Sequence, residues 1–235
     1  MARGKISRKE LLKKPDEFIT LTGRAIQFAR THQKSVSYGL CALVAVAIVV
    51  FGYRFFSQRA QANAFAALAQ TMASYETSKK ASSSQEAYGK ASEALQRLVQ
   101  KYGNNAAGKL ARVRYANISY EAGDYQKAIE LYKQALSDFK DDPLIYQLIL
   151  SSLGYAYQQT GDDRDAIKYF EELSSSNGSV IRDEALFNLG LLYEKSGDTA
   201  GSRKAFQEIV SNYPNSMYFD IAQEKLSSTD SESSS

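Results

Sequence analysis

The residues most suggestive of chemistry are Gly103-Asn104-Asn105-Ala106-Ala107-Gly108-Lys109, which share the glycine and lysine spacing of a phosphate-binding loop. The match then fails. Leu110 stands where a hydroxyl would have to reach Mg²⁺, and no strand pattern precedes the loop. Nucleotide binding is not expected, and the segment reads instead as a link between two helices. The carboxylate pairs Asp162-Asp163 and Glu171-Glu172 lie at a turn and on a helix with basic neighbours. They read as solvated surface rather than as an acid and base. The chain has 1 histidine, His32, and 1 cysteine, Cys41. An intramolecular disulfide and a C-x-x-C zinc or redox site are thereby excluded. No histidine is available as a base in residues 57–235. We expect no enzyme, no metal and no cofactor.

What positions the chain is the run Ser35–Tyr53, nineteen residues without a charge. As a helix it would cover roughly 28 Å, close to the hydrocarbon core of a bilayer. Leu40, Leu43, Val44, Val46, Ile48, Val49, Val50 and Phe51 fill its middle. Together they favour insertion by roughly 2–5 kcal/mol. Tyr38 stands near one end, and Tyr53, Phe55 and Phe56 at the other, where aromatic rings settle at an interface. We predict a transmembrane helix over residues 35–56, with lipid as its partner.

Charge gives that helix a direction. Residues 1–34 carry nine Lys/Arg and three Asp/Glu; residues 57–235 carry nineteen and twenty-three. The positive-inside rule puts the N-terminus in the cytoplasm and the large domain across the membrane. The acidic balance of that domain argues against nucleic acid. An Ala60-Gln61-Ala62 tripeptide resembles a signal-peptidase site, but Arg54 and Arg59 separate it from the apolar run. A retained anchor is the expectation.

Within residues 1–34, Ser7 and Glu10 have capping-box spacing, and Pro15 breaks or restarts the helix. From Asp16 to Lys34 the pattern is amphipathic. Phe18, Leu21, Ala25, Ile26, Phe28 and Ala29 share one half of a helical wheel. This suits a helix in the cytoplasmic interface or one packed on a cytosolic partner. Beyond the span, Ala62, Phe65, Ala66, Ala69, Met72 and Ala73 form an apolar stripe on a helix predicted over Arg59–Ser78. With no Pro or Gly between Gly52 and Ser78, the span is expected to run on into it as a stalk.

The rest repeats. Gly123-Asp124, Gly161-Asp162 and Gly197-Asp198 recur at spacings of 38 and 36 residues, the period of a stacked helical array. Upstream stand Leu153-Gly154-x-x-Tyr157 and Leu189-Gly190-x-x-Tyr193, with Ala116 and Tyr120 in approximate register. Downstream stand Ala128-Tyr132-Ala135, Ala166-Phe170-Leu173 and Ser202-Phe206-Ile209, the last closed by Pro214. A degenerate copy, Ala91-Leu95-Leu98-Val99-Tyr102, echoes the third at an offset of 111. Pro143 and the serine run Ser174–Ser179 suggest stretched loops between repeats. Met217–Leu226 reads as a capping helix and residues 227–235 as a disordered serine-rich tail.

These residues resemble tetratricopeptide repeats. The expected fold is all-α, one transmembrane helix followed by a tetratricopeptide-repeat solenoid. Residues 1–34 form a cytoplasmic basic tail and 57–226 a periplasmic domain of a stalk helix, about three to four repeats and a cap. Such a solenoid offers a concave face to extended or helical peptides. The register points Val113, Asn117 and Tyr120 there from the first repeat, Ser151, Tyr155 and Gln158 from the second, and Phe187, Leu191 and Glu194 from the third. An equal alternative is that Tyr155, Phe187 and Leu191 pack on a neighbouring helix.

A single span ahead of such repeats also resembles the bitopic bacterial inner-membrane ancillary subunit of the Sec translocon. That resemblance implies translocon components, periplasmic chaperones or secretory chains as partners. The alternatives are a scaffold for envelope or cell-wall assembly, or a subunit that works through its cytosolic helix while its repeats form homo-oligomers.

Overall fold

Each Gly-Asp pair closes one helix and opens the next. Gly123, Gly161 and Gly197 sit at φ 82°, 77° and 81°, the left-handed conformation that costs a residue with a Cβ. The aspartate amide reaches back to the previous helix, as in Asp162 N to Tyr157 O at 3.0 Å and Asp198 N to Tyr193 O at 2.9 Å. Its side chain reaches forward: Asp124, Asp162 and Asp198 accept from the amides of Lys127, Asp165 and Gly201. Two residues thus satisfy orphan groups at both helix ends.

The computed structural model describes residues 17–81, 83–176 and 178–232. Among them are ten helices and no strand: α1 (Glu17–Thr31), α2 (Gln33–Ala81), α3 (Ser84–Tyr102), α4 (Ala106–Glu121), α5 (Tyr125–Asp138), α6 (Pro143–Thr160), α7 (Asp163–Ser175), α8 (Arg182–Ser196), α9 (Thr199–Asn212) and α10 (Phe219–Glu232). Ser7, Glu10 and Pro15 lie outside the described residues. The chain divides into two units between Arg59 and Ala60.

In the first unit, backbone hydrogen bonds His32 N to Phe28 O and Val36 N to His32 O, each 2.9 Å, carry the helical path from α1 past His32 into α2. α2 contains a window of mean hydropathy 2.2, none of it buried, and is long and apolar enough to cross a membrane.

In the second unit the hairpins α4–α5, α6–α7 and α8–α9 stack in order, preceded by residues from Ala60 onward of α2 packed with α3. Gly154 of α6 and Gly190 of α8 lie against the rings of Phe170 and Phe206, both buried. A Cβ on either glycine would fall 2.5–2.9 Å from ring carbons, so these small residues set how closely the hairpin helices approach. In the first hairpin the buried Ala116 takes that position. The degenerate copy in α3 is real packing: Ala91, Leu95 and Leu98 are buried.

Three expectations change. Pro143 is not in a stretched loop; it opens α6, where its missing N–H is harmless, with Asp142 as the cap. The extra residues lengthen α6 to 18 against 15 in α8. On α2 the face turned to the repeats carries Ala64, Leu68 and Tyr75. Ala62, Phe65, Ala66, Ala69 and Ala73 are exposed, and Met72 alone of the expected stripe packs at the core's edge. Tyr75 decides this register: its hydroxyl reaches Glu121 at 3.3 Å, beside the Lys79–Glu121 pair at 2.6 Å. Finally, α10 runs on through Glu232 into the expected disordered tail, since neither glycine nor proline stops it.

The loop-like segment at Gly103 is the link from α3 to α4. Asn105 Oδ1 caps α4 by accepting from Gly108 N at 2.9 Å. A Cβ at Gly108 would lie 1.9 Å from the Tyr102 carbonyl oxygen, so its glycine serves close backbone approach.

Candidate functional site

The nine residues predicted for a concave face separate into three environments. Phe187, Leu191 and Glu194 face the chain's own last helix. Phe187 stacks on Tyr218 with ring centroids 4.6 Å apart, and Leu191 packs on the cluster around Ala222. Lys225 Nζ donates to both Glu194 oxygens at 2.9 and 2.8 Å. Ser151 and Tyr155 face α8: both hydroxyls donate to Glu184 Oε1 at 2.9 Å, and Asn188 Nδ2 donates to the Tyr155 hydroxyl at 3.1 Å. Burial pushes the Tyr155 pKa up. Tyr120 meets Tyr125 edge to face at 5.3 Å, and Gln158 is half-buried.

Val113, Asn117, Ser151 and Tyr155 do line one open groove, of about 460 Å³, between α4, α6 and the start of α8. Tyr120, Gln158 and the three residues of α8 do not. The groove also takes Leu110, Arg114, Ile145, Leu148, Ser152, Ile181 and Glu184, which the repeat register had not selected. Leu148 is 50% exposed at its edge, and Leu144 is exposed one turn away. A signal for them exists in the sequence. α6 has more apolar residues than its hairpin core needs, so Leu144 and Leu148 are surplus.

The chemistry on offer is recognition. Aliphatic side chains of Leu110, Val113, Ile145, Leu148 and Ile181 supply apolar contact. Glu184, fixed by two hydroxyl donors, and Arg114 on the facing helix supply one charge of each sign. Asn117 is oriented by Tyr132, whose hydroxyl donates to its Oδ1 at 2.8 Å. Among the described residues no cluster of three or more His, Cys, Asp or Glu side chains is placed to hold a metal.

Buried tyrosines give the domain a pH limit. Burial raises Tyr88 and Tyr132 to about 12; at Tyr146 the hydrogen bond to Glu172, then burial, does the same. The folded state holds these protons after the unfolded chain has lost them. Their contribution is therefore complete below pH 10, the ordinary tyrosine value, and falls as pH rises towards about 12. Thermal melts are expected to show a steep loss of stability over that interval. The Tyr132→Phe variant, which keeps the ring but cannot ionise, should lose less.

Tetratricopeptide-repeat family models match residues 84–151, 119–179 and 184–216, together more than half of the chain. The chain belongs to the tetratricopeptide-repeat family. It is similar to the crystal structure of a tetratricopeptide repeat protein from Parabacteroides merdae, at 19% identity and a TM-score of 0.57, over 71% of this chain and 61% of that one. The chain thus spans less than two thirds of that protein. It is also similar to the structure of MamA, at 17% identity and a TM-score of 0.52, over 68% of this chain and 84% of that one. At these identities the likeness is one of fold. No curated protein matches the sequence.

Proposed function

We propose that this protein is a membrane-anchored, non-enzymatic interaction protein that holds a peptide-binding groove on the side of the membrane opposite its basic N-terminus. The observation that carries the reading is the groove between α4, α6 and α8, with apolar walls, a half-exposed Leu148, a carboxylate held by two hydroxyl donors and an exposed guanidinium. A protein or peptide segment of mixed apolar and charged character fits it. The anchor is supported by the exposed apolar side chains from Leu40 to Phe56 on α2, which no described residue covers, and by the excess of Lys/Arg before them. That charge excess favours a cytoplasmic N-terminus and, in a bacterial envelope, a periplasmic repeat domain.

The resemblance to the ancillary Sec subunit makes translocon components, periplasmic chaperones and emerging secretory chains the first partners to test. A scaffold for envelope assembly would use the same groove for other clients. A photocrosslinking amino acid at Leu148, in intact cells, is expected to capture translocon or exported chains, and the same probe at exposed Lys204 of α9 should not. Equal capture at both positions would sink the groove as the working surface. Digestion of the repeat domain by protease added to spheroplasts is expected; protection there would overturn the orientation.

A further inference from the structure

The groove between α4, α6 and α8 carries a carboxylate that no cation neutralises. Asp138, Asp163, Glu194 and Glu208 each face a Lys or Arg of a neighbouring helix. Glu184 is half-buried, and among the described residues no Lys or Arg pairs with it. Arg114 lines the same groove but is exposed, so water screens it. What holds Glu184 is neutral. Ser151 and Tyr155 each donate a hydroxyl hydrogen to its Oε1 at 2.9 Å. Asn188, itself buried, donates to the Tyr155 oxygen at 3.1 Å and so keeps that hydrogen turned towards Glu184. Two donors fill the lone pairs of Oε1. Oε2 takes no donor from the described residues and is not sealed from solvent. The negative charge is therefore fixed in place and left uncancelled.

The lining beside it decides the kind of cation. Leu148, Ile149 and Ile181 line the groove with Glu184, so a side chain reaching the carboxylate runs along hydrocarbon. Lysine has that build, a four-carbon stem under a compact charged head. Arginine gains most by spanning both carboxylate oxygens, and one is already taken. We propose that the groove selects segments of a partner protein that carry a lysine among apolar residues, with the ammonium donating to Glu184 Oε2 and the stem on the aliphatic wall. This rests on the groove being the working surface, as argued above, and adds the charge that it reads.

Three pools of nine-residue peptides test it on the full chain, immobilised in detergent. Eight positions are mixtures of Leu, Val, Ser and Gly, and the central one is Lys, norleucine or Glu. The Lys pool is expected to be retained about tenfold better than the norleucine pool. That advantage should vanish in Glu184→Gln, whose amide oxygen can still accept from Ser151 and Tyr155. It should persist in Glu224→Gln, which removes an exposed carboxylate of α10. Equal retention of the Lys and norleucine pools by the unaltered protein overturns the proposal without recourse to any variant. So does better retention of the Glu pool, which would give the groove to Arg114, or a Lys advantage that survives Glu184→Gln. Leu148→Asn reports the groove separately and is expected to weaken all three pools. If it changes none of them, or if no pool is retained at all, the groove reading fails and lysine selection with it. If it weakens them while Lys and norleucine stay equal, the groove stands and lysine selection alone falls.

Discussion

Replacing Phe170 with alanine is expected to destabilise the repeat domain by about 3–5 kcal/mol. The ring is fully buried. It fills the space between α6 and α7, meets Tyr155 edge to face at 5.4 Å and touches the Gly154 position. Removing it opens a cavity that flanking helices cannot close without abandoning the hairpin contact. The companion change has a sign that propensity alone would get wrong. Alanine is favoured over glycine inside a helix by about 1 kcal/mol. At Gly154, however, its Cβ would stand 2.6–2.8 Å from three ring carbons of Phe170. Overpacking costs about 1–3 kcal/mol, so Gly154→Ala is expected to destabilise. In a Phe170→Leu background the clash is relieved and the same change should become neutral or stabilising. Urea midpoints for the four chains of this cycle, in detergent, decide the matter; a stabilising Gly154→Ala with Phe170 intact would show that the ring yields.

The second large effect is expected at Asp138. Its carboxylate pairs with the Arg112 guanidinium, and the two side chains are only 17% and 14% exposed. Burial lowers the Arg112 pKa, the mark of a charge held out of water. Asp138→Asn leaves that cation without its partner and is expected to cost about 3 kcal/mol. The Lys79–Glu121 pair is more exposed, at 41% and 49%, and Glu121→Gln should cost under about 1 kcal/mol. The double replacement Arg112→Met with Asp138→Leu removes both charges and should recover most of the loss. Equal midpoints for Asp138→Asn and Glu121→Gln would contradict this ranking.

The hairpins were legible because their signals are local. Gly-Asp marks a turn by backbone conformation and capping, and Gly154 and Gly190 mark close approach, whatever lies elsewhere in the chain. The groove was only half legible. α4, α6 and α8 each touch their own hairpin partner on one side and other repeats on another, so apolar residues surround them and no polar face tells inside from outside. The register therefore selected Ser151 and Tyr155, which line the groove with their hydroxyls turned to Glu184. It also selected Phe187 and Leu191, which α10 covers. Leu148 was marked only as a surplus apolar residue on α6, and nothing in its spacing or in that of Arg114 separates a groove edge from a helix seam. On α2 the alanine-rich stripe was visible but assigned to the core. The face that does pack is set by Tyr75 and its distant partner Glu121, a pairing that spacing within α2 does not encode.

The two-residue turns bear on how the chain reaches this structure. Each is made by hydrogen bonds spanning no more than five residues, and the main packing contacts join helices consecutive in the chain. Such low contact order favours rapid folding, because little chain entropy is lost before a contact is made. Whether they emerge from a ribosome or from passage across a membrane, the hairpins arrive in sequence, and each can close on its predecessor without waiting for the C-terminus. The last helix is then the latest to dock. Until it arrives, Phe187, Leu191 and Phe206 stand open at the growing end, and docking of α10 is the step that covers them.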